Sequence, residues 1–236
     1  MNFDYTEEQN MLKDSVARFV QDQYDFDSRT KVAALEDGFK RENWGTFAEL
    51  GWLSVPFAEE QGGFGGSVVD NMMLMEEFGK GLVLEPFLAT VVLFGGLLNK
   101  AGSAAQKDAH IGAIIEGSLQ GAVAFNERQS RYSLQDVKTT AVKSAEGYVL
   151  NGEKTVVLNG MSADQLIVSA RTAGEQSDQQ GVTLLLVDAS SAGIEKTGYR
   201  MMDGQVVANI RFNDVSVSAD AVVGEEAQGV LALQSA

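Results

Sequence analysis

Apolar residues in the first half of the chain recur every three or four positions, the period of an amphipathic helix. Met11, Leu12, Val16, Phe19 and Val20 form one such stripe. Thr6 and Gln9 ahead of it have the spacing of a capping box, with Glu7 and Glu8 in the favourable first turn. Trp44, Phe47 and Leu50 mark a second helix that Gly51 is placed to end. Next comes LSVPFAEEQGGFGGS, a loop holding Pro56 and a glycine cluster. Ser67 or Asp70 can open the following helix, in which Val69, Met72, Met73 and Phe78 share a side. Pro86 suits the first turn of another, continuing through Val91, Leu93, Phe94 and Leu97. Ser103 with Gln106 repeats the capping box before His110, Ile111, Ile114 and Ile115.

Near Gly121 the pattern shortens. GAVAFNE, TTAVKS, GYVLNG, KTVVLNG, DQLIVSAR, GVTLLLVD, GIEKTG and NIRFNDVSV are β-branched runs separated by turn residues. They predict an antiparallel β domain of seven or eight strands running to about Val223. Asn151-Gly152 has the chemistry of a type I′ hairpin turn, where both central residues need positive φ. After Gly229 the pattern is helical again and stops within a turn or two, as expected of a truncated domain. The expected fold is therefore α+β and multi-domain. Residues 1–118 form an all-α domain, 119–224 an antiparallel β-barrel or sandwich, and 225–236 the first turns of a third, helical domain.

Charge and composition remove several functions. The 236 residues include 33 acidic and 18 basic side chains, a formal net charge of −15. That field opposes nucleic acid and anionic membrane surfaces, so neither is an expected partner. FLATVVLFGGLL, the most apolar run, falls short of the ~20 residues that span a bilayer. The N-terminus MNFDYTEEQN has no signal-peptide character, so the expected location is cytoplasmic. There is no cysteine and a single histidine, His110, which excludes thiol chemistry and disfavours a metal site or a Ser-His-Asp triad. Chemistry must rest on carboxylates, backbone donors or a cofactor.

Local candidates are few. EEQGGFGGS lacks the Lys-Ser/Thr of a P-loop and follows no strand, so it reads as a tight connection. Glu76 and Glu77 are adjacent on a helix and point apart, and Met72, Met73 and Met75 read as packing. In FNERQSRY, a strand delivers Asn126 and Glu127, with Arg128 and Arg131 following in a chain poor in cations. A polar turn explains that segment as well as a site does. The residues alone stop at a helical domain joined to a β domain, with a ligand at their junction.

Several motifs in order resemble the acyl-CoA dehydrogenase family of flavoproteins. They are Tyr5-Thr6-Glu7-Glu8-Gln9 at the first helix, Leu50-Gly51-Trp52, VPFAEEQGGFGGSVVD, MEEFGK, AFNE (Ala124 to Glu127), GYVLNGEKTVVLNG, IRFNDVSV and VVGEEAQG. The resemblance covers essentially the whole chain. It implies FAD as cofactor, an acyl-CoA substrate oxidised to the trans-2-enoyl-CoA, an electron-transferring flavoprotein as acceptor, and a homo- or hetero-oligomer. In the family, a helical bundle follows the β domain and carries the catalytic glutamate. That base is thus expected beyond Ala236, and Glu127 is expected to be structural.

By the same register, Phe125, Asn126, Val156 and Leu158 occupy the flavin-contacting positions, and Arg131 and Tyr132 those for phosphate or acyl-CoA contact. Val156 replaces the family's Trp and Leu158 its Thr, so a hydroxyl is absent from the wall. Backbone N–H groups around Phe125 to Glu127 remain available to the flavin in this reading. The altered flavin wall resembles that of members working as one of two unlike subunits, including those acting on dicarboxylic or ring-bearing acyl-CoAs. Alternatives on the same scaffold are a non-catalytic partner subunit and a flavin monooxygenase or nitroalkane-type oxidase.

Overall fold

The computed structural model describes residues 4–235. Helix α1 (Glu7–Gln23) opens with the Thr6/Gln9 capping box. After α2 (Phe26–Ala33) and α3 (Arg41–Glu49), Gly51 adopts φ 76 and turns the chain into a short 3-10 segment. In α4 (Val68–Gly81), Asp70 reaches back to the Ser67 N–H at 2.7 Å and also accepts from Gln9 Nε2 at 3.2 Å, tying α4 to α1. Met73, Leu74 and Phe78 are buried, whereas Val69 and Met72 of the expected apolar side are exposed, as is Met11 on α1. The segment after Pro86 is not an ordinary helix. It is a π-helix, Leu88–Gly95, continued by α5 (Gly96–Ala101) and followed by α6 (Ala104–Ile115). Phe19, Phe47, Trp52, Phe78 and Phe87 pack ring against ring at centroid distances of 5.0–5.8 Å in the centre of this domain.

Eight strands follow among the described residues: β1 (Gly121–Ala124), β2 (Thr140–Ser144), β3 (Gly147–Leu158), β4 (Gln165–Arg171), β5 (Val182–Asp188), β6 (Ile194–Arg200), β7 (Val206–Ser218) and β8 (Val222–Val223). Their order is β6-β7-β3-β2-β4-β5-β8, with β1 beside β4. The pairing is mostly antiparallel, but β1 and the start of β2 lie parallel to β4. Strand parity separates two cores. Val123, Ile167 and Leu184 face the helices, while Ala122, Ala124, Leu166, Val168 and Leu185 face a second core within the sheet. The chain ends in α7 (Gly229–Ser235), whose Val230 is buried.

The Asn151-Gly152 turn expected from sequence does not form. β3 runs straight through it, because β2 and β7 already flank β3 and leave no edge to turn into. The pair is instead a bulge opposite β7, with Asn151 and Asp214 exchanging two hydrogen bonds of 2.9 Å. Gly152 has φ 147, and a Cβ there would lie 2.6 Å from Thr139 Cα. The hairpin turn sits earlier, at Ala145-Glu146 between paired Ser144 and Gly147.

The β6–β7 hairpin folds over the helical domain. Arg29 donates to the Asp203 and Leu82 carbonyls, and Arg200 donates to the Leu35 carbonyl. Gly38 meets Val206 so closely that a Cβ would lie 2.4 Å from Val206 Cγ2. These contacts set the junction between the two domains.

Candidate functional site

Four of the six residues expected at a site either follow β1 directly or lie in the second half of β3. The Thr155 N–H donates to the Asn126 carbonyl at 2.9 Å, which brings the end of β1 against the second half of β3. Phe125 packs half-buried on the helical core. Asn126 is half-buried, and its side-chain amide has no partner among the described residues. Leu158 pairs with Val207, which pairs with Tyr199, so the three make one row across β3, β7 and β6. Val156 stands beside that row, 40% exposed, its N–H donating to Asn209 Oδ1 at 3.3 Å.

Val156 adopts φ 54 at a register shift in β3. The left-handed region costs an L-residue about 1–2 kcal/mol, and a β-branched one is an outlier there. Strain of this kind persists where surrounding contacts over-determine the backbone. Here the β7 pairing, the Asn126 carbonyl and the Asn209 side chain hold it.

Arg131 and Tyr132 lie elsewhere. Tyr132 is fully exposed, Arg131 is exposed at φ 49, and neither contacts the other four through a hydrogen bond among the described residues. Their loop is anchored by two buried charges that sequence reasoning did not bring together. Glu127 accepts from Lys154 Nζ at 2.8 Å, the Thr139 N–H at 3.0 Å, the Lys138 N–H at 2.8 Å and Gln129 Nε2 at 2.7 Å. Lys154 is wholly buried and also donates to Ser169 Oγ at 2.9 Å. Burial pushes the Glu127 carboxyl up, but the Lys154 charge and these hydrogen bonds outweigh it and bring it down to about 2. Burial pulls Lys154 down to about 8 against the pull of Glu127. Arg171 closes the other side of the loop, donating to the carbonyls of Gln135, Gln176, Asp178 and Gln180.

The Glu127 N–H, one of the backbone donors expected for a flavin, is already bonded to Ser130 Oγ at 3.0 Å. The signal for the ion pair was present in strand parity: Tyr148, Leu150 and Lys154 all point into the sheet core, and a lysine at a core-facing position requires an acid.

A cavity of about 90 Å³ adjoins Leu158 at the domain junction. Met75 and Phe78 of α4, Phe87, Asn159 and Val206 contribute to its wall. The Asn159 side chain is oriented by donating to Thr90 Oγ1 at 3.3 Å and Gln120 Oε1 at 3.0 Å. Glu85, also on the wall, is buried and hydrogen-bonded by the Tyr24 hydroxyl and by Asn43 Nδ2 at 2.9 Å; burial raises its carboxyl to about 7. The glycine-rich loop offers no phosphate cradle, since the N–H groups of Gly62 to Gly66 are bonded to carbonyls of residues 54–59. His110 is half-buried in α6 away from these groups, and burial lowers its pKa. Among the described residues no cluster of His, Asp or Glu could hold a metal ion, and no helix is long and apolar enough to cross a membrane.

Comparison with known proteins defines the class. Residues 6–118 match the acyl-CoA dehydrogenase N-terminal domain and residues 122–215 the middle domain, so the chain belongs to the acyl-CoA dehydrogenase family. Members of that family are flavoprotein oxidoreductases. The mitochondrial isovaleryl-CoA dehydrogenase of Pongo abelii is 30% identical over 239 residues, covering 98% of this chain and 56% of that protein. Acyl-CoA dehydrogenase FadE29 of Mycobacterium tuberculosis is 28% identical over 231 residues, covering 97% and 59%. The ChsE4-ChsE5 complex of the same organism superposes with a TM-score of 0.87 at 25% identity, covering 100% of this chain and 60% of that one. The chain thus spans about 60% of the length of the relatives it matches.

Proposed function

We propose that this chain supplies the helical and β portions of an FAD-dependent acyl-CoA dehydrogenase that oxidises an acyl-CoA thioester to the trans-2-enoyl-CoA. The observation that carries the proposal is that the segment after β1, with Asn126, is hydrogen-bonded to the second half of β3, which holds Val156 and then Leu158 beside an interdomain cavity. The reading is supported by partly exposed apolar surface at Leu158 and Tyr199, the two ends of a row whose middle residue, Val207, is buried, and by the Asn126 amide, which offers both a donor and an acceptor.

When bound, the flavin supplies the hydride-accepting chemistry. The chain's residues wall it, orient the thioester against it and exclude water. Phe125 and Leu158 do this by packing, Asn126 by hydrogen bonding, and Val156 by the set of its backbone. Arg131 and Tyr132, exposed on the anchored loop apart from this wall, are assigned to a phosphate of FAD or CoA on the strength of the family register alone. The base that takes the α-proton is assigned to no residue of this chain. Glu127 is ionised but sealed by Lys154 and its backbone donors, so it serves structure. Electrons then pass to an electron-transferring flavoprotein, and the assembly is an oligomer of like or unlike chains.

The test is a visible absorption spectrum after FAD is added in excess and then removed. A retained flavin band that shifts when an acyl-CoA binds supports the reading. A protein that holds no flavin sinks it. A second reading, a non-catalytic partner subunit, is favoured by Leu158, which offers the cofactor no hydroxyl. A chain that retains flavin whose band no acyl-CoA perturbs distinguishes it.

A further inference from the structure

We propose that Asn159 is a ligand-contacting residue of this site, its side-chain carbonyl accepting a hydrogen bond from an N–H group of the bound flavin or thioester. The inference rests on the acyl-CoA dehydrogenase reading above. Asn159 follows Leu158 at the end of β3 with φ 57, a left-handed conformation that asparagine tolerates. Its Nδ2 is fully committed, donating to Thr90 Oγ1 at 3.3 Å and to Gln120 Oε1 at 3.0 Å. Thr90 is held in turn. Its hydroxyl faces Gln120 Oε1 and the Gly121 carbonyl, each at 3.1 Å, and accepts from the Gly121 N–H at 3.2 Å. Both positioning residues are buried, so the amide is fixed from behind.

With both Nδ2 protons in use, Oδ1 is the free end of the side chain. It has no partner among the described residues, yet it is not sealed from solvent. Asn159 is 9% exposed and lines the junction cavity, which is therefore the space Oδ1 faces. An acceptor so placed takes its donor from water or from whatever displaces that water. The other polar groups on the wall differ. Asp37 already accepts from Arg41 Nε at 2.8 Å, and Glu85 accepts from Tyr24 and Asn43. Gln205 makes no side-chain hydrogen bond among the described residues, so nothing fixes which end of its amide it shows. Of these wall residues, Asn159 is the one pre-set to receive a donor. An oxidised flavin ring offers one N–H and the pantetheine arm of a CoA thioester offers its amides, whereas a plain acyl chain offers none.

The test uses the full chain and two probes. FAD is titrated into flavin-free protein by fluorescence, and butyryl-CoA into FAD-loaded protein by the shift of the flavin band. Asn159→Gly keeps the left-handed backbone and removes the acceptor, and should weaken binding by about three- to tenfold, the loss expected of one hydrogen bond. A loss seen with FAD assigns the donor to the flavin; a loss seen only with butyryl-CoA assigns it to the thioester. Asn159→Asp gives up the bonds to Thr90 and Gln120 but presents an acceptor whichever way it turns. It should lower stability in urea and keep the affinity, a separation that a merely structural role would not produce. Thr90→Val, similar in shape but lacking the hydroxyl, should weaken the same probe, and Thr90→Ser should restore it. Native affinity for both probes in Asn159→Gly overturns the proposal, as does a loss in Asn159→Asp as large as in Asn159→Gly. If Asn159→Gly does not fold, unchanged binding in Thr90→Val overturns it. In each case FAD held by the native chain leaves the underlying reading standing, and a native chain that holds no FAD sinks that reading and this inference together.

Discussion

Replacing Lys154 with methionine keeps the length of the side chain and removes its charge, leaving Glu127 buried beside its backbone donors. In the native protein Glu127 is lowered from 4.5 to about 2. A depressed carboxylate stabilises the fold fully above the unfolded value and loses that contribution as pH falls toward the folded value. For Glu127 the window runs from about 4.5 down to about 2, and the contribution is roughly 3 kcal/mol. Lys154 offsets it. Its own descent to about 8 means that keeping the ammonium buried costs a similar roughly 3 kcal/mol, so the pair is close to neutral as a unit.

Two outcomes follow. Lys154→Met alone should destabilise by about 3–5 kcal/mol at pH 7, because a buried charge loses its partner. Lys154→Met with Glu127→Gln should recover most of that loss. The single variant should also flatten the acid limb, since the two largest influences that lower Glu127 are gone. Urea denaturation followed by circular dichroism from pH 3 to 8 reads all of these. A Lys154→Met protein with native stability and an unchanged slope below pH 4.5 would refute the reasoning.

Glu85 should give a separate pH signature of opposite sign. It is raised to about 7, so the folded chain keeps a proton that the unfolded chain releases, and stability should fall by roughly 3 kcal/mol between pH 4.5 and 7. Glu85→Gln should abolish that slope in the same titration while retaining the Asn43 and Tyr24 contacts. Arg171→Met removes four donated hydrogen bonds at once. It should cost more than about 3 kcal/mol and speed amide exchange in residues 128–139 and 172–181. Val156→Asn, a residue that tolerates the left-handed region, should raise stability by about 1 kcal/mol; a loss of that size would show that the strain argument fails. Gly152→Ala should destabilise by at least about 2 kcal/mol by denaturant titration, because its Cβ meets Thr139 backbone.

What the sequence made legible was local. The capping boxes at Thr6/Gln9 and Ser103/Gln106 are short-range hydrogen-bond patterns and appear as expected. Strand spacing likewise located the β domain, whereas Asn126, Val156 and Leu158 were singled out by the family resemblance and not by any spacing. The failures are non-local. Asn151-Gly152 carries a turn's chemistry, but pairing with β2 and β7 on both sides overrules it. Nothing in a valine announces φ 54, since that backbone state is imposed by Asn126 and Asn209. The apolar run after Pro86 has helical period, yet its widened π turns accompany contacts between Thr90 and Gln120 that no local pattern encodes. Arg131 and Tyr132 sit close to Asn126 in sequence, but the anchors at Glu127 and Arg171 carry their loop to the surface, apart from the wall.

The position of β3 has a consequence for how the protein is made. One edge of this strand is covered promptly by β2, which precedes it. The other belongs to β7, and residues 206–218 leave the ribosome only after β4, β5 and β6 have been synthesised. At about 5–20 residues per second, the longest strand pair of the sheet waits seconds for its second half. During that interval an unpaired strand edge is an open template for other nascent chains. Chains stopped between residues 160 and 205 should therefore be far less soluble than the finished protein, and yield should depend on translation speed across this region more than on the stability of the final fold.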